Sequence, residues 1–274
     1  QRTKVGVAGV GYVGGAVKNW FETQGLPLFI YDKGKGLGSL TELNKAEIVF
    51  LCLPTPFAET SSPLTRRASA RSFDTKSGFS DSAIWEVLEG LTGSKVVVVK
   101  STVLPGSTDK YQESFPQHKV LFNPEFLTEK AAIQDFINPK RQIVGYTEKS
   151  KEEAEKIMDF LPKASFQRIM KAKEAEMIKY FGNLFLANRV IFANQIYDVC
   201  EKLGIDYDVV KEVAGFDERV GKSHFDVFYE GYRGYSRSCL PKDTKAFIQL
   251  AEDLGLNPKL LKTVDEINER FIHG

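Results

Sequence analysis

The sequence predicts an α/β chain: an open, doubly wound parallel sheet in its first part and an all-helical second part. Three observations carry this expectation. Runs rich in Val, Ile and Leu alternate with helix-forming segments from residue 4 to about residue 146, and strands covered on both faces read as such continuous apolar runs. The glycine string G-V-G-Y-V-G, Gly9 to Gly14, lies between the first apolar run and a helical segment. Residues 172–203 are helix-forming, with Gly182 the only glycine before the end, far beyond the ~10–14 residues usual for a globular helix.

Taken in order, K-V-G-V-A (4–8) is the first strand, and A-V-K-N-W-F-E-T-Q-G (16–25) is a helix ending near Gly25. L-F-I-Y-D (28–32) and E-I-V-F-L-C-L (47–53) are the second and third strands. W-E-V-L-E-G-L (85–91) is a helix that leads into the strand K-V-V-V-V-K (95–100). V-L-F-N (120–123) runs into the segment N-P-E-F, and Q-I-V-G-Y (142–146) is a later strand. Right-handed crossovers then leave an all-parallel, doubly wound sheet as the economical topology. After about residue 150 the character changes, and helices are expected at 172–203, 206–214, 241–254 and 258–271. The expected domains are 1–170, built on the sheet, and 171–274, helical, with the long helix as a domain spine or a dimer interface. Glu59 to Ser80 is rich in Ser, Thr and Arg without apolar periodicity and reads as a surface loop. Its R-R-A-S, Arg66 to Ser69, looks like a basophilic kinase target, with a solvated insertion as the plainer reading.

Bulk properties narrow the function. A chain of 274 residues is long enough for two domains with a core apiece. Its 42% hydrophobic and 27% charged residues are ordinary for a globular protein. The net charge of +1 offers no global field for nucleic acid or a membrane surface. No apolar run reaches ~18 residues and no basic-then-apolar leader precedes the first strand, so a cytoplasmic location is expected. Cys52 and Cys200 lie in apolar segments and read as core residues; neither the three cysteines nor the three histidines show metal-ligand spacing.

In the glycine string, Gly9 makes a tight turn, Gly11 admits close approach of a pyrophosphate, and Gly14 permits close helix–strand packing. The helix N-terminus behind them offers unpaired N–H groups and a positive dipole end. Asp32 follows Gly14 by 18 residues, at the end of the second strand. A carboxylate there accepts hydrogen bonds from a ribose diol and repels a 2′-phosphate, which favours NAD over NADP. Lys33 beside it softens that preference. These features make the first part a Rossmann sheet.

Lys179 and Asn183 stand four apart on the long helix and so share one face, where they could hold a substrate oxygen; a solvated lysine is the alternative. Glu125 and Glu129, also four apart, follow a strand at the ligand-binding rim, where a carboxylate can act as general base. Ser101 and Thr102 end the preceding strand on the same rim. Helix capping is the competing reading for each of these motifs. Cys239 precedes Leu240 and Pro241, and proline favours the first helical position, which puts the thiol at a helix N-terminus near Lys242. Both influences favour the thiolate. Asp243 in the first turn reads as a capping carboxylate or as part of the site.

The strings G-V-G-Y-V-G, C-L-P-T-P, K-S-T-V-L-P-G, N-P-E-F-L-T-E, K-Y-F-G-N and S-C-L-P-K-D, in this order, resemble the nucleotide-sugar 6-dehydrogenases of the UDP-glucose/GDP-mannose type. The resemblance spans almost the whole chain. It implies NAD as cofactor, a nucleotide sugar as substrate, and a homodimer built on the long helix. It implies Cys239 as nucleophile, with Lys179, Asn183 and Asp243 around the reacting oxygen and water. Glu125 is then the base of a hydrolytic step, with Thr102 and Glu129 nearby. Cofactor contacts would fall on Gly9, Gly11, Tyr12, Val13, Gly14, Asp32 and Lys33, then on Pro54, Thr55, Ser101, Thr102, Glu129 and Lys242. Substrate contacts would come from Glu125, Phe126, Leu127, Lys179, Asn183 and Tyr235, with Arg219 reaching the substrate of a neighbouring subunit.

Two departures from that family are visible. Ser236 and Arg237 stand where the family usually has two glycines before the residue preceding its cysteine. The sequence also stops at V-D-E-I-N-E-R-F-I-H-G, where the family continues into a second Rossmann-like domain. The leading expectation is four-electron oxidation of a C6 alcohol through a cysteine adduct. The alternatives are a two-electron β-hydroxyacid-type dehydrogenase, which has no need of Cys239, and a non-catalytic dimeric NAD-binding protein.

Overall fold

The computed structural model describes residues 2–57, 78–236 and 239–273, so the R-R-A-S string and Arg237 lie outside the described residues. Two compact units divide the chain, Gln1–Lys179 and Tyr180–Gly274. The first is organised by β1 (Val5–Ala8), β2 (Leu28–Asp32), β3 (Leu37–Gly38), β4 (Ile48–Leu51), β5 (Val96–Val99), β6 (Lys119–Phe122), β7 (Arg141–Tyr146) and β8 (Phe166–Lys171). They form one eight-stranded sheet in the order β3-β2-β1-β4-β5-β6-β7-β8. Val5 pairs with Leu28 on one side and Ile48 on the other, so the strand order reverses at β1, the position beyond whose carboxyl end doubly wound sheets bind their ligands.

Strand alternation explains the two-sided core. Val49, Leu51, Val97, Val99, Val120 and Phe122 face one layer with Ile84, Leu88 and Tyr111. Ile48, Phe50, Val98 and Leu121 face the other, with Ala16, Val17, Phe21, Phe136 and Ile157. Each such aliphatic side chain contributes about 1.5–3 kcal/mol of burial. The first layer is covered by α2 (Leu40–Leu43), α3 (Ser82–Gly90) and α4 (Ser107–Ser114), and the second by α1 (Tyr12–Thr23), α5 (Ala132–Ile137) and α6 (Ala154–Phe160).

The sheet is not wholly parallel. The five strands from β2 to β6 are parallel to one another, but β3 runs against β2 and β7 against β6. The six-residue α5 spans only about 9 Å, too little to return the chain to the far end of the sheet. β7 therefore starts from the rim where β6 stopped. β8 extends the sheet past the point where the sequence turns helical, as a parallel edge strand on β7.

The long helix α7 (Ala172–Leu203) has 32 residues, and the boundary between the units falls inside it. Within the first unit its Glu176, fully buried, reaches the start of α4. The carboxylate accepts from the Gly106 N–H at 2.5 Å and from the N–H and hydroxyl of Thr108 at 2.8 and 2.6 Å. Burial nevertheless pushes this carboxyl from 4.5 up to about 7, outweighing the hydrogen bonds that favour its charge. A folded value above the unfolded one means that the group's stabilisation is complete below pH 4.5 and is lost as pH rises through about 7. Unfolding measurements on the wild type should therefore show a loss of about 3 kcal/mol from this group between pH 4.5 and 8. Glu176→Gln should start less stable, because its amide must face a backbone N–H, but follow a flatter pH curve. Parallel curves for the two proteins would contradict this.

The second unit holds the rest of α7 with α8 (Tyr207–Ala214), α9 (Cys239–Asp253) and α10 (Lys259–His273). One cluster joins Ala187, Val190 and Ile191 to Tyr235 and Val264, and another joins Ala193 and Cys200 to Tyr207 and Val227. Asn268 ties the irregular stretch before α9 to α10, accepting from the Tyr235 N–H at 2.7 Å and donating to its carbonyl at 2.9 Å. Arg189 donates to the carbonyls of Gly221 and Ser223 at 3.1 and 2.7 Å, which holds the loop after α8.

Candidate active site

The glycine loop turns directly off β1. Gly9 has φ of +84°, and a Cβ there would lie 2.3 Å from the Cys52 carbonyl oxygen. A Cβ on Gly14 would lie 1.8 Å from the Gly9 oxygen, whereas one on Gly11 would meet nothing within 4 Å. The first and third glycines are thus required by packing, and the second faces open space. Helix α1 starts at Tyr12 with no side-chain cap and no acid in its first turn. The first N–H groups of a helix are left unpaired by the helix itself, and an uncapped helix start behind a glycine turn fits a dinucleotide pyrophosphate.

Asp32 closes β2 beside this loop. Its Oδ2 accepts from the Val10 N–H at 2.7 Å and its Oδ1 from the Lys35 N–H at 3.0 Å. The Val10 N–H, chiefly, holds the carboxyl below its usual value. A carboxylate has about four acceptor positions, so capacity for a diol remains. Lys33 does not offset this charge as the sequence suggested. Its ammonium lies 2.5 Å from Glu86 on α3, which raises its pKa.

At the ends of β4 and β5, polar side chains brace the rim. The Ser101 hydroxyl accepts from the Leu53 N–H at 2.8 Å and donates to the Leu53 carbonyl at 2.7 Å. The buried Thr55 hydroxyl donates to the Thr102 carbonyl at 2.7 Å. Thr102 is half-buried and Pro54 exposed. Cys52, expected in the core, is only half-buried where it packs against the second core layer, and burial of its thiol pushes it up to about 12.

Beyond β6 the N-P-E-F segment places Glu125 inside, only 6% exposed. Its Oε1 lies 2.8 Å from the Lys179 ammonium on α7, and its Oε2 accepts from the Leu127 N–H at 2.8 Å. Lys179 is 7% exposed, so this is a buried ion pair, not the solvated lysine that was the alternative. Glu129, by contrast, is exposed and opens a short 3-10 turn. Lys100 closes β5 and went unnoticed in the sequence. It is 2% exposed, donates to Asn123 Oδ1 at 2.6 Å, and is drawn down to about 8 by burial. Asn123 in turn donates to Gln142 Oε1 at 2.8 Å and to the Ile143 carbonyl at 2.6 Å. A charge directly after four valines on a central strand was the signal available.

In the second unit Cys239 begins α9, two residues earlier than Pro241 as first helical residue would require. A proline anywhere in the first turn leaves no intrahelical bond unmade. Cys239 is half-buried and carries no disulfide. One turn on, Asp243 is 1% exposed and accepts from Asn183 Nδ2 at 2.6 Å and from the Lys242 ammonium at 2.5 Å. Asn183 and Lys179, read together from their spacing, thus have separate partners. Lys242, expected at the cofactor, is engaged with Asp243. Tyr235 is buried in the helical core, Ser236 is exposed, and Arg219 is exposed with its guanidinium 2.6 Å from Asp217. Among the described residues no cluster of three His, Cys, Asp or Glu could hold a metal ion, and no helix is long and apolar enough to cross a membrane.

Residues 37–161 match the model for the NAD binding domain of the UDP-glucose/GDP-mannose dehydrogenase family, and residues 173–270 match that for its central domain. The UDP-glucose 6-dehydrogenase TuaD of Bacillus subtilis is 34% identical over 240 residues, 83% of this chain and 47% of its own length. AglM of Haloferax volcanii, also a UDP-glucose 6-dehydrogenase, is 31% identical over 253 residues, 87% and 56% of the two lengths. A UDP-glucose dehydrogenase structure from the hyperthermophilic archaeon Pyrobaculum islandicum superposes with a TM-score of 0.80 at 28% identity, covering 98% of this chain and 68% of that one. The chain spans about half the length of the curated relatives it matches.

Proposed function

This chain belongs to the UDP-glucose/GDP-mannose dehydrogenase family, and from that premise we propose that it serves NAD-dependent, four-electron oxidation of the C6 alcohol of a nucleotide sugar, UDP-glucose to UDP-glucuronate. The observation that carries the reading is Cys239 at the head of α9, one turn from a buried Asp243 that is bonded to both Asn183 and Lys242. A two-electron oxidation has no use for that thiol. NAD supplies the acceptor for the two hydrides, one per cofactor molecule, and its site is assigned to Gly9, Gly11, Gly14, the first turn of α1 and Asp32.

The chain's own residues divide the remaining work. The C6 alcohol first loses a hydride from carbon and its hydroxyl proton to water, and Cys239 Sγ then adds to the resulting aldehyde, forming a C–S bond and an oxyanion that takes up a proton. This hemithioacetal keeps its C6–H, so loss of a second hydride together with the hydroxyl proton, which passes to water, leaves a thioester. Glu125 then takes a proton from water as its oxygen attacks the thioester carbonyl, the C–S bond breaks, and the thiolate departs. Lys179 stabilises the oxyanions, and Asn183 and Asp243 orient the reacting oxygen. The exposed apolar positions Phe181, Phe185, Phe192, Val199 and Leu203 recur at helical spacing along α7, which supports a homodimer through this helix. Arg219 is assigned to the partner's substrate in that dimer.

Counting NADH per UDP-glucose tests the reading. Two are expected, with UDP-glucuronate as product. One NADH with a different, β-hydroxyacid substrate would indicate the two-electron alternative, and none from either would indicate a binding protein. Asp32→Ala should weaken NAD about tenfold, through loss of the diol acceptor and of the Val10 anchor. Unchanged affinity by titration would remove Asp32 from the ribose.

A further inference from the structure

The end of β2 carries two lysines beside its acid, and the fold treats them differently. Residues 33–36 form the turn that joins β2 to β3, where Asp32 pairs with Leu37. Asp32 Oδ1 accepts from the Lys35 N–H at 3.0 Å, and the Gly36 N–H donates to the Lys33 carbonyl at 3.3 Å. The backbone of the turn is thereby pinned, and only its side chains can be re-aimed. Lys35 is committed to the glycine loop, its ammonium donating to the Val10 carbonyl at 2.5 Å.

Lys33 points elsewhere. Its ammonium crosses to α3 and meets Glu86 Oε1 at 2.5 Å. The two side chains are 72% and 50% exposed, so packing holds neither in place. An exposed pair of this kind is weak and exchangeable. A cofactor with a 2′-phosphate would set that group beside Asp32, where NADP-binding sheets supply a cation. Lys33 directly follows the acid and carries a point charge on a flexible stem, which suits it to that task. Glu86 takes the charge away.

We propose that Glu86 is a cofactor-selecting residue: by holding the Lys33 ammonium on α3, it denies the 2′-phosphate of NADP its only mobile cation in this turn. The proposal rests on the assignment of Asp32 to the NAD ribose and adds the group that enforces the choice. Glu86 acts through Lys33 and needs no contact with bound NAD.

The test is fluorescence titration of the whole chain with NADH and NADPH. Glu86→Gln should tighten NADPH at least fivefold while NADH stays within twofold, since NADH has no phosphate for the freed lysine to meet. The gain should shrink at about 0.5 M salt, where an exposed ionic contact is screened. Adding Lys33→Gln to Glu86→Gln should return NADPH to within twofold of wild type. Unmoved NADPH affinity in Glu86→Gln, with NADH still bound, overturns the proposal and leaves the NAD site standing. An equal gain for both cofactors, or a gain that survives in the double variant, overturns it as well. Absence of NADH binding by the wild type would remove the Asp32 assignment, and the proposal with it.

Discussion

Cys239→Ala is expected to abolish UDP-glucuronate formation, by on the order of 10³-fold or more, while NAD affinity stays within about twofold. The thiol is the only group proposed to hold the aldehyde covalently between the two oxidations, and neither alanine nor serine forms a thioester. Cys239 is half-buried at the start of a helix, so exchanging its sulfur for hydrogen removes little packing and the melting temperature should barely move. Product analysis by chromatography, NAD titration and a melting curve on one preparation separate the outcomes. Parallel losses of NAD affinity and thermal stability would make the cysteine structural. Full oxidation of a substrate by Cys239→Ser would show that the adduct is unnecessary and point to two-electron chemistry.

Lys179→Met should be the most damaging substitution in the first unit. It leaves Glu125 buried without its ion partner, which typically costs about 3–5 kcal/mol. For a domain of this size that is about 10 °C in melting temperature. Loss of an oxyanion donor should also lower turnover about 10²–10³-fold. Adding Glu125→Gln should restore much of the stability, because the stranded charge goes with it, yet restore none of the activity. The double-mutant cycle in urea unfolding reads the coupling directly. Additive stability losses would show that the 2.8 Å contact carries no energy, and the electrostatic account of this pair would fall.

Much of the sheet was legible. β1, β2, β4 and β5 lie under the apolar runs that announced them, because strands covered on both faces have no polar side to confuse the pattern. The edge strand β8, F-Q-R-I-M-K, was not legible, since half-exposed positions on both faces leave neither alternation nor a continuous run. Helix α4, S-T-D-K-Y-Q-E-S, offers one large apolar side chain, Tyr111. Its start is held by Glu176, which stands 70 residues from Gly106, and no local pattern reports that. The direction of β7 was hidden as well, because periodicity encodes faces and not polarity along the sheet.

By itself, then, the sequence determined the repeating strand–helix units, the turn at Gly9 and Gly14, the 32-residue helix and a helix beginning within two residues of Cys239. All of these follow from backbone sterics and local periodicity, which act between neighbours along the chain. Only the tertiary structure decided that Lys179 meets Glu125 and that Asn183 meets Asp243, although helical spacing placed the lysine and the asparagine side by side. The same holds for Lys100 and Asn123, whose contact depends on β5 lying beside β6. A buried charge must find its partner in space, and strand order and helix packing, not distance along the chain, set which groups are near enough to serve.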